Sequence, residues 1–180
     1  NDDTFLLFGR DKSVDQYYCY TTKDGISFSS FPFTPYSASS YTWASGTHNG
    51  SVYAISATDW ESHTVMTIGS DSGDWVATVV PDFLQIYGIC TGKDNALVAV
   101  GTVSNVDTKT YTTTSIDNGI TWGPPVVIPG TNWSIRNISW SGTLYMCMEV
   151  NAGKYFTSPD LVTWREHSAA ASTGLYWSPP

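Results

Sequence analysis

Charge is scarce in this chain, and basic charge is scarcer still. Only 13% of the 180 residues are charged, and eight Lys and Arg stand against sixteen Asp and Glu, for a formal net charge of -8. No basic patch exists to follow a phosphate backbone, so nucleic acid is disfavoured as a partner. An anionic membrane surface is disfavoured for the same reason. Purely apolar runs are short, and nothing reads as a membrane-inserting span or a signal peptide. The chain begins at Asn1 without a methionine, as expected of a processed product or a fragment. Cysteine is limited to Cys19, Cys90 and Cys147, far apart and without a CxxC pair or a Cys/His cluster. No metal site and no cofactor is expected. The strand-like flanks of the three ("YYCYT", "YGICTG", "LYMCMEV") suit buried free thiols, with one disulfide and one free thiol as the alternative. Sustained helical spacing is missing too.

What remains is aromatic and hydroxyl-rich: 8 Trp, 11 Tyr, and Ser and Thr throughout. That mixture favours short strands joined by polar turns. Sequons at Asn49, Asn132 and Asn137 matter only if the chain passes through a eukaryotic secretory pathway.

A repeat organises the chain. "TTKDGISF", "GSDSGDW", "SIDNGITW" and "TSPDLVTW" each join a hydroxyl residue, an aspartate and a closing aromatic. The aromatics Phe28, Trp75, Trp122 and Trp164 are spaced by 47, 47 and 42 residues. This is the length of one four-stranded propeller blade. Each unit reads strand, polar turn, strand, third strand, Asp turn, short edge strand. The predicted fold is all-β: a four-bladed β-propeller with blades near 1–36 plus 174–180, 37–82, 83–130 and 131–173. The first unit lacks its inner strand, and "GLYWSPP" at the other end has a spare one. Pairing of Gly174–Trp177 with Phe5–Phe8 would close the ring with a 44-residue spacing across the join, leaving no frayed edge.

"SIDNGITW" matches every defined position of the Asp-box, or BNR repeat, S-x-D-x-G-x-T-W, and the other three copies are degenerate. The chain thus resembles Asp-box propellers, a sialidase-like superfamily in fold that includes glycan-active enzymes, sorting receptors and phage or bacterial surface proteins. The resemblance implies architecture and leaves function open. The residues themselves say why. An Asp accepts from backbone amides two residues on, a Gly takes positive φ, and the Trp folds back over apolar surface. Asp24, Asp71, Asp117 and Asp160, with Trp122 and Trp164, are expected to be structural.

Two enzyme readings compete with this. Sialidases resemble one another in an arginine triad, but Arg10, Arg136 and Arg165 lack the Arg-Ile-Pro context, and Arg165 and Glu166 follow a box tryptophan at a blade's outer edge. "SPDLVTW" resembles a phrase of five-bladed glycosidases, which need two inward carboxylates. Asp59 and Glu61, with His63 nearby, form the one acidic cluster with a base. His48, His63 and His167 are available to a Ser–His–Asp triad, but none has a nucleophile-elbow context; Glu61, Glu149 and Glu166 are the glutamates open to a sialidase-type pair. The favoured expectation is a non-catalytic binding or structural module that recognises a glycan or cell-surface receptor, or joins other structural subunits. A virion component (tail fibre, tail tip or decoration) or a secreted adhesin, hence an extracellular or virion-surface location, fits it. Tyr41, Trp43, Trp133 and Trp177 at the starts of inner strands are the candidate ligand-binding aromatics.

Overall fold

The computed structural model describes residues 5–11, 16–33, 42–58, 64–69, 76–104, 106–131, 135–149 and 153–168. Fifteen strands among them form four antiparallel sheets. Sheet I holds β1 (Phe5–Asp11), β2 (Gln16–Thr22) and β3 (Ser29–Phe33). Sheet II holds β4 (Thr42–His48), β5 (Val52–Thr58), β6 (Thr64–Gly69) and β7 (Val76–Val79). Sheet III holds β8 (Gln85–Thr91), β9 (Leu97–Thr102), β10 (Thr110–Ser115) and β11 (Val126–Ile128). Sheet IV holds β12 (Ile135–Trp140), β13 (Tyr145–Glu149), β14 (Lys154–Ser158) and β15 (Arg165–Ser168). Each is a meander in chain order. The helical content among the described residues is one 3-10 turn, Lys93–Asn95.

Sheet III is well buried, and its sequence shows why. Every residue of β9, "LVAVGT", is buried. Period-two alternation then divides them between two cores. Leu97 and Ala99 join Ala54, Val80, Phe83, Ile86, Ile89 and Trp122 between sheets II and III. Val98 and Val100 join Cys90, Ile138, Tyr145, Cys147 and Phe156 between sheets III and IV. Strand β13 alternates instead: Tyr145 and Cys147 are buried, while Met146 is 38% exposed. Its second face is therefore open where that of β9 is covered.

The inner strands share an irregularity that the residue pattern did not announce. Register shifts by one residue between Trp43 and Ser45 in β4, between Ile86 and Gly88 in β8, and between Ile135 and Ile138 in β12. These are β-bulges near the start of each strand, where they bend it and raise its twist. Opposite the bulge of β8 lies Gly101, where a Cβ would stand 1.9 Å from the Gln85 carbonyl oxygen. Only glycine fits there.

The buried thiols match the free-cysteine expectation at two positions. Cys90 and Cys147 are free and buried. Desolvation pushes the Cys90 thiol up to about 12 and raises Cys147 further, with Cys90 nearby adding to it, so neither is a nucleophile at neutral pH. The side chain of Cys19 lies outside the described residues. Among the described residues no helix is long and apolar enough to cross a membrane, and no group of three His, Cys, Asp or Glu could hold a metal.

Candidate functional site

Strand register gives the blades two unlike ends. At one, which we call the box end, the inner hairpin turns meet the Asp turns: Thr91 pairs with Leu97 and Leu97 with Ser115. At the other, the loop end, the pairs Thr42–Thr58, Gln85–Thr102 and Ile135–Glu149 finish the ladders.

The box end is pinned. In the full box Ser115 Oγ donates to Asp117 Oδ1 at 2.8 Å and accepts from Gly119 N at 2.8 Å. Asp117 accepts from Thr121 N at 2.9 Å and from the Thr121 hydroxyl at 2.5 Å. Gly119 takes φ 87°, so all five defining residues have a task except Trp122, which is buried between sheets II and III. The shorter boxes keep the scheme with two backbone amides on each Asp, and the Thr163 hydroxyl also donates to Asp160 Oδ2 at 3.1 Å. Asp24 Oδ1 accepts from Ile26 N and Ser27 N at 2.8 and 2.7 Å. Asp160 Oδ1 accepts from Val162 N and Thr163 N at 3.0 and 2.7 Å. Hydrogen bonds hold all three carboxyls below their usual range. For Asp117 the Thr121 hydroxyl leads, for Asp160 the Thr163 amide, each reaching about 2, and Asp24 falls lower still through Ser27. Each carboxylate is spent inside its own turn.

The closing aromatics differ. Trp164 packs on the III–IV core and donates its indole N–H to Leu161 O at 3.0 Å. Phe28 stays 50% exposed, against the expectation of a covered ring: it lacks the indole N–H that anchors Trp164 to its loop.

Between the sheets, polar side chains replace a backbone ladder. Ser45 Oγ accepts from Ile89 N at 2.6 Å and donates to Ile89 O at 3.2 Å. Thr47 Oγ1 accepts from Thr91 N at 3.0 Å. The exposed edge of β8 thereby finds partners that an inner edge strand would otherwise lack. Asn49 Oδ1 accepts from Ser51 N and Val52 N, while its Nδ2 donates to Asn95 O at 3.0 Å and Asn118 Oδ1 at 2.9 Å. From the other side, Tyr145 OH accepts from Lys93 N at 2.9 Å. Its ring fills the place where a Cβ on Gly92 would sit, 2.4 Å from the hydroxyl. The turn of sheet III is clasped by both neighbours. The sequon reading of Asn49 is corrected by this: the residue is 6% exposed, and the nitrogen a glycan needs makes two hydrogen bonds. These clasps were missed in the sequence. The Asn-Gly dipeptide in both the β4–β5 turn and the full box is the signal that could have found one of them.

The loop end is polar. Tyr87, the bulged residue, donates its hydroxyl to Gln85 Oε1 at 2.9 Å. Tyr111 donates to Asp107 Oδ2 at 2.5 Å, which lowers the carboxyl and raises the phenol. Lys154 and Glu166 pair at 2.7 Å, and Glu149 is buried at the end of β13.

Of the candidate residues, Trp43 is placed in β4 opposite Ala57. Tyr41, Asp59, Glu61, His63, Asp71, Trp133 and Trp177 lie outside the described residues. Arg165 and Glu166 are exposed on the outer strand β15. His48 packs on Tyr53 at 4.3 Å and His167 stacks on Tyr155 at 4.6 Å, so both rings are engaged in cross-strand contacts.

No family model matches this sequence, and no curated protein does. Solved structures do. Virginiamycin B lyase from Staphylococcus aureus is 16% identical, with a TM-score of 0.63 over 89% of this chain and 54% of that one. YCF48, solved with a D1 peptide, is 14% identical, with a TM-score of 0.65 over 93% and 52%. A protein of unknown function from Dyadobacter fermentans is 14% identical, with a TM-score of 0.59 over 93% and 66%. The chain thus spans about half the length of the first two. At these identities the likeness is one of fold: the neighbours are propeller-like, and this chain is an all-β, propeller-like array of antiparallel sheets.

Proposed function

We propose that the chain is an Asp-box propeller of four blades that works as a binding module, with its loop end as the recognition surface for a glycan. The observation that carries this is the division of labour between the two ends. The box end spends its carboxylates inside their own turns and Asn49 and Tyr145 on clasping neighbouring sheets. Near the opposite end Trp43 pairs with Ala57 in β4, and the proposal assigns Tyr41, Trp43 and Trp133 the role of aromatic platforms, since such rings suit sugar C–H surfaces beside polar groups that take hydroxyls. Two neighbours were solved with small ligands, quinupristin on the lyase and a peptide on YCF48, which supports a binding use of this architecture. A place on a virion or a secreted adhesin belongs to the same proposal.

The blade count draws support from curvature. Strands β4 and β12, separated by sheet III, approach within 8 Å between Cα atoms. In a regular ring of four the distance across one strand is about 1.4 times the neighbour spacing, and in a ring of seven about 1.8 times. Seven would press neighbours to about 4.4 Å, tighter than the roughly 4.8 Å of hydrogen-bonded strands, while four allows about 5.7 Å and five about 4.9 Å, so the curvature favours a small ring. An axis so narrow leaves the rim, not the centre, for a ligand.

Glycan-array binding tests the reading, with Tyr41→Ala, Trp43→Ala and Trp133→Ala expected to lose signal while the fold persists. Turnover of a chromogenic glycoside, abolished by Asp59→Asn or Glu61→Gln, would replace the module with a glycosidase.

A further inference from the structure

The chain's two Asn-Gly dipeptides, Asn49-Gly50 and Asn118-Gly119, meet at the junction of sheets II and III. Asn-Gly is the sequence in which the next amide nitrogen attacks the side-chain carbonyl most readily, because glycine offers it no steric shield. The Gly nitrogen forms a bond to Cγ, the Cγ–Nδ2 bond breaks, and ammonia leaves. Water then opens the succinimide to aspartate or isoaspartate, and no other reactant is required.

Both sites are held away from that geometry. At Asn118 the attacking group, Gly119 N, donates to Ser115 Oγ at 2.8 Å and is buried. The electrophile is tied as well, since Asn118 Oδ1 accepts from Asn49 Nδ2 at 2.9 Å. Asn118 and Gly119 both have positive φ, 63° and 87°, fixed by the box. At Asn49 all four hydrogen bonds of the amide hold Cγ in the turn.

We propose that Asn118 is a spontaneous deamidation site gated by the Asn49–Asn118 clasp, so that conversion reports and then fixes separation of the two sheets. Isoaspartate at 118 adds a methylene to the backbone of the Asp turn in sheet III. The Ser115–Gly119 hydrogen bond cannot then re-form, and the junction stays unlatched.

Peptide mass spectrometry of the full chain aged at neutral pH reads this directly, with a gain of one mass unit at Asn118 and one added negative charge. Folded protein should convert about tenfold or more slowly than chain unfolded in guanidinium, since the rate follows the population of the opened state. Asn49→Ala should speed conversion at Asn118 at a temperature where circular dichroism shows the sheets intact. Should that variant not fold, wild type in denaturant below its unfolding midpoint serves: the Asn118 rate should rise with a shallower slope than global unfolding. Equal rates in folded and unfolded chain overturn the proposal. So does an Asn49→Ala rate equal to wild type, or a slope equal to that of global unfolding.

Discussion

Asn49 Nδ2 donates to Asn118 Oδ1 at 2.9 Å across 69 positions of sequence, joining the inner hairpin of sheet II to the Asp turn of sheet III. The same nitrogen reaches Asn95 O, so one amide bridges three turns. Removing it takes the partner from two part-buried acceptors, Asn95 O and Asn118 Oδ1, and from the amides of Ser51 and Val52. Asn49→Ala is expected to cost about 2–3 kcal/mol in urea unfolding, above the cost of a typical single hydrogen bond. An unchanged unfolding midpoint would mean that the clasp contributes nothing net.

Gly92 and Tyr145 should behave as a coupled pair. Gly92→Ala places a methyl against the tyrosine ring and is expected to cost about 1–3 kcal/mol through overpacking. Tyr145→Ala loses the ring and the bond to Lys93 N, at about 3–5 kcal/mol. Once the ring is gone the methyl has room, so the double variant should be less destabilised than the sum of the two. Strict additivity in the cycle would show that the clash relaxes elsewhere.

Leu161 takes φ 64° at the position where the first box has Gly25 at 70°. A side chain there costs about 1–2 kcal/mol of backbone strain. The leucine is only 9% exposed, in the III–IV core, and such burial is worth about 1.5–3 kcal/mol. Burial outweighs strain, so Leu161→Gly should destabilise by about 1 kcal/mol, less than Leu161→Ala, which keeps the strain and loses the packing. A thermal melt that ranks alanine above glycine would reverse the argument.

The Asp turns predict an acid response. Folding lowers the carboxyls of Asp24, Asp117 and Asp160 below the ordinary value of 3.8. A lowered folded value contributes stability that is fully present above the unfolded value and is lost as pH falls through the folded one. Stability should therefore hold down to about pH 4 and then decline toward pH 2. Asp117→Asn should flatten part of that decline. A transition midpoint that does not move between pH 5 and pH 2.5 in chemical denaturation would remove these turns as its cause.

Much of this fold was legible because its signals are local. The four-strand meanders follow from apolar alternation and turn residues within each 40-odd-residue unit, and the Asp turns from five residues in eight. The clasps were not legible, since Ser45 to Ile89, Asn49 to Asn118 and Lys93 to Tyr145 are contacts between units. A repeat reveals equivalent positions but not which of them reach a neighbour. The bulges were hidden for a related reason: one extra residue in β4, β8 or β12 leaves the apolar pattern nearly unchanged. The candidate aromatics stood out by type alone, and only strand register assigns their neighbours to an end.

Closure of the ring is the sharpest remaining expectation. Sheet I has three strands among the described residues, with β1 at its edge. Sheet IV keeps a partly open face at Met146. Five residues separate Ser168 from Gly174, enough to reach about 20 Å when extended, more than the roughly 14 Å across a four-stranded sheet. We expect Gly174–Trp177 to pair antiparallel with the opening strand, around Phe5–Phe8, and complete sheet I. Deleting residues 174–180 should then cost several kcal/mol, a large part of the stability of a domain this size, and leave an edge that promotes aggregation. The measurement is a pair of denaturation curves with light scattering on the same samples. A truncated chain that melts with the full one and stays monomeric would sink both the closure and the four-bladed count that depends on it.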